Sequence, residues 1–170
     1  MDIKKIIRDI PDFPKKGIIF KDITTLLNNP KVFKYAIDQM AKLVKDKKVD
    51  AIVAMESRGF IFGSALAYKL NCAFVPVRKP GKLPYKTHKV TYSLEYGQDS
   101  LEIHQDGFKK GASVLIIDDL LATGGTAKAT ADLVKKIGGK IQGILFLIEL
   151  SFLNGRKKLK GYPVYSVIKY

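Results

Sequence analysis

Val114-Leu115-Ile116-Ile117-Asp118-Asp119-Leu120-Leu121-Ala122-Thr123-Gly124-Gly125-Thr126 is the stretch on which the fold of this chain turns. Its first four residues are apolar and mostly β-branched, which predicts a short strand buried on both faces. Two carboxylates follow where such a strand leaves the sheet, and Thr123-Gly124-Gly125-Thr126 then opens a helical pattern. Glycines let backbone N–H groups turn toward one point, and the helix dipole favours a dianion there. Carboxylates beside that point can accept hydrogen bonds from vicinal ribose hydroxyls. Each part alone also suits an ordinary turn in an open α/β sheet. The unbroken run favours a site for a sugar phosphate. It is not a Walker A loop, because no Gly-Lys-Ser/Thr follows. Gly-x-Gly occurs nowhere in the chain, which excludes the dinucleotide fingerprint.

A strand–helix rhythm extends outward on both sides. Residues 50–55 and 73–77 read as buried strands with a helix over 60–70 between them. The signature strand is followed by a helix over 125–137, stopped by Gly138-Gly139. A strand over 141–150, a short polar helix around 151–158 and a last strand over 164–168 complete the pattern. Such alternation predicts an α/β fold with a central, mostly parallel sheet flanked by helices. Upstream, residues 1–17 read as a short helix and a Pro-punctuated arm, and 18–27 as an extended segment with a turn. A helix runs from Pro30 to about Lys47. Val32, Phe33, Ala36, Ile37, Met40, Leu43 and Val44 lie on its apolar face, and Asn28 or Asn29 caps it. The rhythm breaks over 78–104, where Pro80, Gly81, Pro84 and Gly97 punctuate two alternating segments, 90–94 and 100–103. These predict an antiparallel pair inside a functional or mobile insertion. No linker divides the chain, so residues 1–170 are expected to form a single domain.

The chain has 170 residues, 30 of them Lys or Arg against 16 Asp or Glu, for a formal net charge of +14. That excess invites nucleic acid, but the basic residues are scattered, as in Lys45, Lys47 and Lys48, or Arg156, Lys157 and Lys158. Such runs are ordinarily solvated helix faces and loop tips. An aromatic-rich RNA-binding signature is missing, so no nucleic-acid partner is expected. A pocket for a polyphosphate also benefits from a positive field. Only four of the basic residues are arginine: Arg8, Arg58, Arg78 and Arg156. Arginine among so many lysines suggests bidentate anion binding, a task lysine does poorly. The single Cys72 reads as a buried small residue in a reducing, cytoplasmic compartment. The N-terminal residues lack a signal-peptide core, and the longest apolar run is too short for a membrane span.

Four further stretches carry chemistry. Met55-Glu56-Ser57-Arg58-Gly59-Phe60 joins a buried strand to a helix at the end of the sheet where α/β ligands bind. Read from its residues, it suits a helix cap with a surface arginine as well as an anion site. Arg78-Lys79-Pro80-Gly81-Lys82-Leu83-Pro84 places three cations within five residues. That is a basic turn or, from its place after a strand, a clamp for diphosphate. Tyr92-Ser93-Leu94-Glu95-Tyr96-Gly97 reads as a hairpin with an exposed Glu or as a lid carrying Glu95 over a reacting centre. Phe13-Pro14 through Gly17 to Phe20-Lys21-Asp22-Ile23 is a loop with one conspicuous aromatic. His88 and His104 are isolated and read as structural or solvent-facing.

Taken in order, these stretches resemble the adenine-using branch of the type I phosphoribosyltransferases over nearly the whole chain. The most specific segments are Asp118–Thr126, Arg78–Pro84 and Tyr92–Tyr96. The resemblance implies a type I phosphoribosyltransferase-like fold. Residues 1–29 would form an N-terminal arm and base-binding hood, and 78–104 a flexible-loop and β-hairpin insertion. It implies purine salvage: phosphoribosyl diphosphate (PRPP) and adenine give AMP and diphosphate. On this reading Asp118 and Asp119 hold the ribose hydroxyls. Ala122, Thr123, Gly124, Gly125 and Thr126 hold the 5′-phosphate. Ser57, Arg58, Arg78, Lys79, Lys82 and Tyr96 hold the diphosphate. Phe20 stacks on the base, and the backbone around Ile19 and Lys21 reads its edge. Asp118, Asp119 and Glu95 are the catalytic candidates, Glu95 for proton handling or positioning. Mg²⁺ arrives with PRPP and is held mainly by PRPP and water, with no protein ligand set. The resemblance also implies a homodimer and a non-proline cis peptide between Glu56 and Ser57. Lys21 departs from the family, which commonly has Arg there. The alternatives are an enzyme for hypoxanthine, guanine or xanthine, and a PRPP-sensing nucleic-acid-binding regulator. The latter usually carries an added DNA-binding domain, for which this length leaves no room.

Overall fold

The computed structural model describes residues 1–93 and 97–170. They fall into two compact units, Met1–Gln39 and Met40–Tyr170.

In the first unit a 3-10 turn, Ile3–Lys5, is capped by the Asp2 carboxylate, which accepts from the Lys4 N–H at 3.1 Å. Strands β1 (Arg8–Pro11) and β2 (Ile19–Asp22) then pair antiparallel, with Asp9 opposite Lys21 and Ile10 opposite Phe20. One helical turn, α1 (Thr24–Leu27), leads to helix α2 (Pro30–Leu43). Of the two candidate caps, Asn29 serves: its side-chain oxygen accepts from the Lys31 and Val32 N–H groups at 3.2 and 3.3 Å. Val32, Ala36, Ile37, Met40 and Val44 are buried, as the helical spacing predicts. The helix ends at Leu43 instead of near Lys47, because Lys45, Asp46, Lys47 and Lys48 offer no apolar face to hold another turn.

The second unit is built on a five-stranded parallel sheet. Its strands are β3 (Ala51–Met55), β4 (Ala73–Val77), β7 (Ser113–Leu121), β8 (Lys140–Glu149) and β9 (Val164–Lys169), in the order β4-β3-β7-β8-β9. Helix α3 (Arg58–Leu70) connects β3 to β4, and α4 (Gly125–Ile137) connects β7 to β8. Every residue of β3 is buried, as is β7 through Ile117. Full burial of each large aliphatic side chain contributes about 1.5–3 kcal/mol, so these strands carry nothing charged until Asp118. The α4 side of the sheet is packed with Val53, Met55, Val114, Ile116, Leu133, Val134, Ile144 and Phe146. From β3 the chain moves outward to β4, yet β7 lies on the other side of β3. The strand order therefore reverses between β3 and β7, and a crevice opens beyond their carboxyl ends.

Between β4 and β7 lies a hairpin of β5 (Thr87–Ser93) and β6 (Gln98–His104), with Tyr92 opposite Asp99 and Val90 opposite Leu101. It is longer than the alternation predicts because the polar residues Thr87, His88 and Lys89 pair as well. Buried Leu101 and Ile103 anchor its second strand. That strand is clipped to the end of β4: Arg78 N donates to Glu102 O at 3.0 Å, and Glu102 N to Arg78 O at 2.8 Å. The expected polar helix near 151–158 is two 3-10 turns, Ser151–Leu153 and Gly155–Leu159. Cys72 is half-buried rather than buried; burial, then the charge of Asp50, push its thiol above the ordinary range. No helix among the described residues is long and apolar enough to cross a membrane.

Candidate active site

Asp118 and Asp119 stand where β7 passes out of the core. The Asp118 side chain folds back, its Oδ1 accepting from the Asp119 N–H at 2.9 Å. Burial, and then the neighbouring charge of Asp119, push the Asp118 carboxyl well above its usual range. Burial raises Asp119 too, against the pull of the Arg58 guanidinium, which lies 2.8 Å from Asp119 Oδ2. Gly59 makes this approach feasible. A Cβ there would stand 2.8 Å from Asp118 Oδ1 and 3.2 Å from the Ile117 carbonyl. Only a residue without a side chain lets the start of α3 lie so near the end of β7.

Residues 122–126 form the loop into α4. Gly124 caps the helix with φ 81, a left-handed conformation that glycine adopts without strain. It rests directly on the backbone of Gly155, whose own Cα faces Ala122 and Leu121. A cavity of about 80 Å³ is lined by Asp118, Leu120, Leu121, the loop itself and Phe146. The positive end of a 13-residue helix faces it, with no acidic residue in the first turn. A larger cavity of about 510 Å³ adjoins the outer side of the loop, with Ser93, Lys157 and Lys158 in its wall.

The cations expected to hold diphosphate are organised by carboxylates. Glu56 receives two of them and one backbone amide: Lys82 Nζ on Oε2 at 2.9 Å, the Arg78 guanidinium on Oε2 at 3.3 Å and the Lys79 backbone N–H on Oε1 at 2.5 Å. Burial alone would raise Glu56, but these donors together hold it below the usual carboxylate range. Lys79 Nζ pairs with Asp99 Oδ2, and the Tyr92 hydroxyl reaches the same oxygen at 3.2 Å. The peptide between Glu56 and Ser57 is cis, as the resemblance implies, and Ser57 is exposed at the start of α3.

The expected base-reading residues lie in the first unit. Ile19 is exposed, and Phe20 meets Phe13 edge-on with centroids 5.1 Å apart. Lys21 Nζ donates to Asp9 Oδ1 at 2.6 Å across the β1–β2 ladder. In the second unit Arg58 is brought to Asp119, and Arg78, Lys79 and Lys82 to Glu56. Glu95 and Tyr96 lie outside the described residues. The sequence assigns no role to Glu56, Asp99, Gly155 or Tyr92 individually. The one available signal was local: Glu56 is the first polar residue after a fully buried strand.

Residues 22–169 match the phosphoribosyl transferase domain family. An adenine phosphoribosyltransferase of Thermotoga sp. strain RQ2 is 61% identical over 170 residues, all of both chains.

The chain belongs to the adenine phosphoribosyltransferase family.

Solved members share its fold. The adenine phosphoribosyltransferase of Thermoanaerobacter pseudethanolicus superposes with a TM-score of 0.98 at 58% identity, covering 99% of this chain and 98% of that one. The Saccharomyces cerevisiae adenine phosphoribosyltransferase, solved with an imino-altritol bisphosphate and adenine, does so at 0.92 and 41% identity, covering 98% and 96%. The loop at 122–126 thus sits in a type I phosphoribosyltransferase fold, at the crevice where the strand order reverses.

Proposed function

We propose that the second unit binds PRPP along the crevice from residues 122–126 to Arg78–Lys82, and that the enzyme transfers its phosphoribosyl group to adenine, giving AMP and diphosphate. The observation that carries this reading is the juxtaposition of a cavity at a helix N-terminus, a carboxylate pair and a cation cluster. Backbone N–H groups and hydroxyls of Ala122, Thr123, Gly124, Gly125 and Thr126 hold the 5′-phosphate. Asp118 and Asp119 accept from the ribose hydroxyls, directly or through water. Arg58, Arg78, Lys79 and Lys82, with Ser57 and Tyr96, hold the diphosphate. The bond from C1′ to the diphosphate oxygen breaks as the adenine ring nitrogen bonds to C1′. Positive charge develops at C1′, and the two aspartates stabilise it. Glu95 takes or positions the proton that the base loses.

Mg²⁺ belongs to the same reading. Mg²⁺ would be held mainly by PRPP oxygens and water, with Asp118 and Asp119 reached only through those waters. The bound ion neutralises charge on the leaving diphosphate. Phe20 stacks on adenine, and the backbone at Ile19 and Lys21 reads its edge, supported by the position of these residues in the family's base-binding hood. A homodimer follows from the same resemblance, and a cytoplasmic setting fits the single Cys72.

A panel of adenine, guanine, hypoxanthine and xanthine with PRPP and Mg²⁺, followed by nucleoside monophosphate formation, tests the reading. AMP formation is expected to dominate by orders of magnitude; equal turnover of an oxopurine would overturn the choice of base.

A further inference from the structure

Four side chains form a continuous polar chain between the two ends of the proposed donor site. Lys79 Nζ pairs with Asp99 Oδ2. The Tyr92 hydroxyl lies 3.2 Å from that same oxygen and 3.3 Å from Thr126 Oγ1. The hairpin register makes the bridge local, since Tyr92 and Asp99 face each other across β5 and β6. Donor counting sets its direction. Asp99 as a carboxylate only accepts, and Tyr92 has one O–H to give. Tyr92 therefore donates to Asp99, and Thr126 donates to Tyr92. The Tyr92 ring lies flush on the phosphate loop, its edge 3.6 Å from where a Cβ on Gly125 would stand. At the other end, the backbone bridge from Glu102 to Arg78 fixes β6 one residue before Lys79.

We propose that Tyr92 and Asp99 are positioning residues that hold the phosphate loop and Lys79 at the separation PRPP requires. They make one preorganised site of two anion pockets. Neither needs to touch the reacting atoms. Tyr92 fixes the position of Thr126 at the helix N-terminus, and Asp99 sets the Lys79 ammonium, so a ligand carrying phosphate at both ends finds both pockets already in place. Preorganisation of this kind favours the bifunctional ligand over either half, because the ordering of two side chains is complete before binding. Burial raises the Tyr92 phenol, against the hydrogen bond from Thr126, so Tyr92 stays a protonated donor at neutral pH.

The proposal rests on the assignment of Thr126 and Lys79 to the two ends of PRPP, so the experiment separates the two. Tyr92→Phe, Asp99→Asn and their double variant are compared with Lys79→Ala in the full-length enzyme. KM for PRPP, KM for adenine, kcat and Tm are measured, with direct titrations of ribose 5-phosphate and of diphosphate. Each single bridge variant is expected to raise KM for PRPP by about two- to tenfold, the value of one hydrogen bond. KM for adenine stays within error, and each half-ligand weakens less than PRPP does. The double variant is expected to be no worse than either single one, because the two groups act through one chain. Additive losses, or equal rises in both KM values with a lowered Tm, would show a merely structural hairpin contact and overturn the proposal. If Lys79→Ala raises KM for PRPP while Tyr92→Phe does not, the bridge falls and the diphosphate assignment stands. If Lys79→Ala changes nothing, both fall.

Discussion

Gly124 and Gly155 meet backbone to backbone: the carbonyl of Gly155 occupies the space where a Cβ on Gly124 would lie. The loop at 122–126 is thus seated on the first residue of the 3-10 turn Gly155–Leu159. A Cβ on Gly155 would also fall 2.9 Å from Leu121 Cδ1 and collide with the Ala122 carbonyl. Gly155→Ala must push the loop, and overpacking of this kind costs about 1–3 kcal/mol. The expected outcome is a rise in KM for PRPP of about tenfold or more, with adenine binding in the absence of PRPP unchanged. Steady-state kinetics with each substrate varied in turn checks this; a lowered Tm with both constants intact would contradict it.

Asp118 illustrates a site group that costs stability. Its carboxyl is pushed up by burial and by Asp119, so the fold favours the protonated form. A group raised above its unfolded value, ordinarily 3.8, stabilises most below that value and loses its contribution as pH rises through the folded one. Asp118→Asn removes the charge that the fold resists. Tm at pH 7 is expected to be equal or higher, while PRPP-dependent turnover falls about a hundredfold or more. Asp119→Asn leaves Arg58 without its close carboxylate and is expected to impair PRPP use far more than adenine binding. Wild-type kinetics in both variants would remove the aspartates from the ribose site.

A half-buried ion cluster anchors the turn that carries Gly155. Arg156 donates to both oxygens of Glu149 at 2.7 Å and to the Val164 carbonyl at 2.8 Å, and the Ser166 hydroxyl donates to Glu149 at 2.5 Å. The hydrogen bonds from Arg156, reinforced by Ser166 against the burial cost, bring Glu149 from 4.5 down to about 2. A depressed carboxylate gives stability that is present above 4.5 and is lost as pH falls through about 2. Glu149→Gln is therefore expected to lower stability at pH 7 by on the order of 3 kcal/mol. The gap to wild type should close between pH 4.5 and 2. Urea titrations across that range measure it, and a gap independent of pH would refute the assignment.

Lys21 holds Asp9 across the β1–β2 ladder, with its side chain only 10% exposed. If the base is read by backbone atoms of this strand, the identity of the cation matters little. Lys21→Arg keeps a cation facing the exposed Asp9 and is expected to change KM for adenine by less than about threefold. A gain of tenfold or more would show that a guanidinium contributes to base binding.

The residues from Val114 to Thr126 determined by themselves where the sheet ends, where a helix begins and what class of anion the loop between them suits. They are contiguous, and strand burial, turn chemistry and helix capping are local properties of a sequence. The α/β rhythm and the Asn29 cap were legible for the same reason. The hairpin was seen but drawn too short, because Thr87, His88 and Lys89 join it through backbone pairing that their side chains do not announce. Tertiary structure alone decided which charges face each other. Glu56 gathers the charges of Arg78 and Lys82 because β3 and β4 run in parallel register, and Asp99 reaches Lys79 because β6 is clipped to Arg78. Gly155 lies 30 residues beyond Gly125 in the chain, yet it supports the loop because β7 and β8 pair side by side. Contacts between residues so far apart are set by strand order and register, which depend on the whole core and on no single stretch.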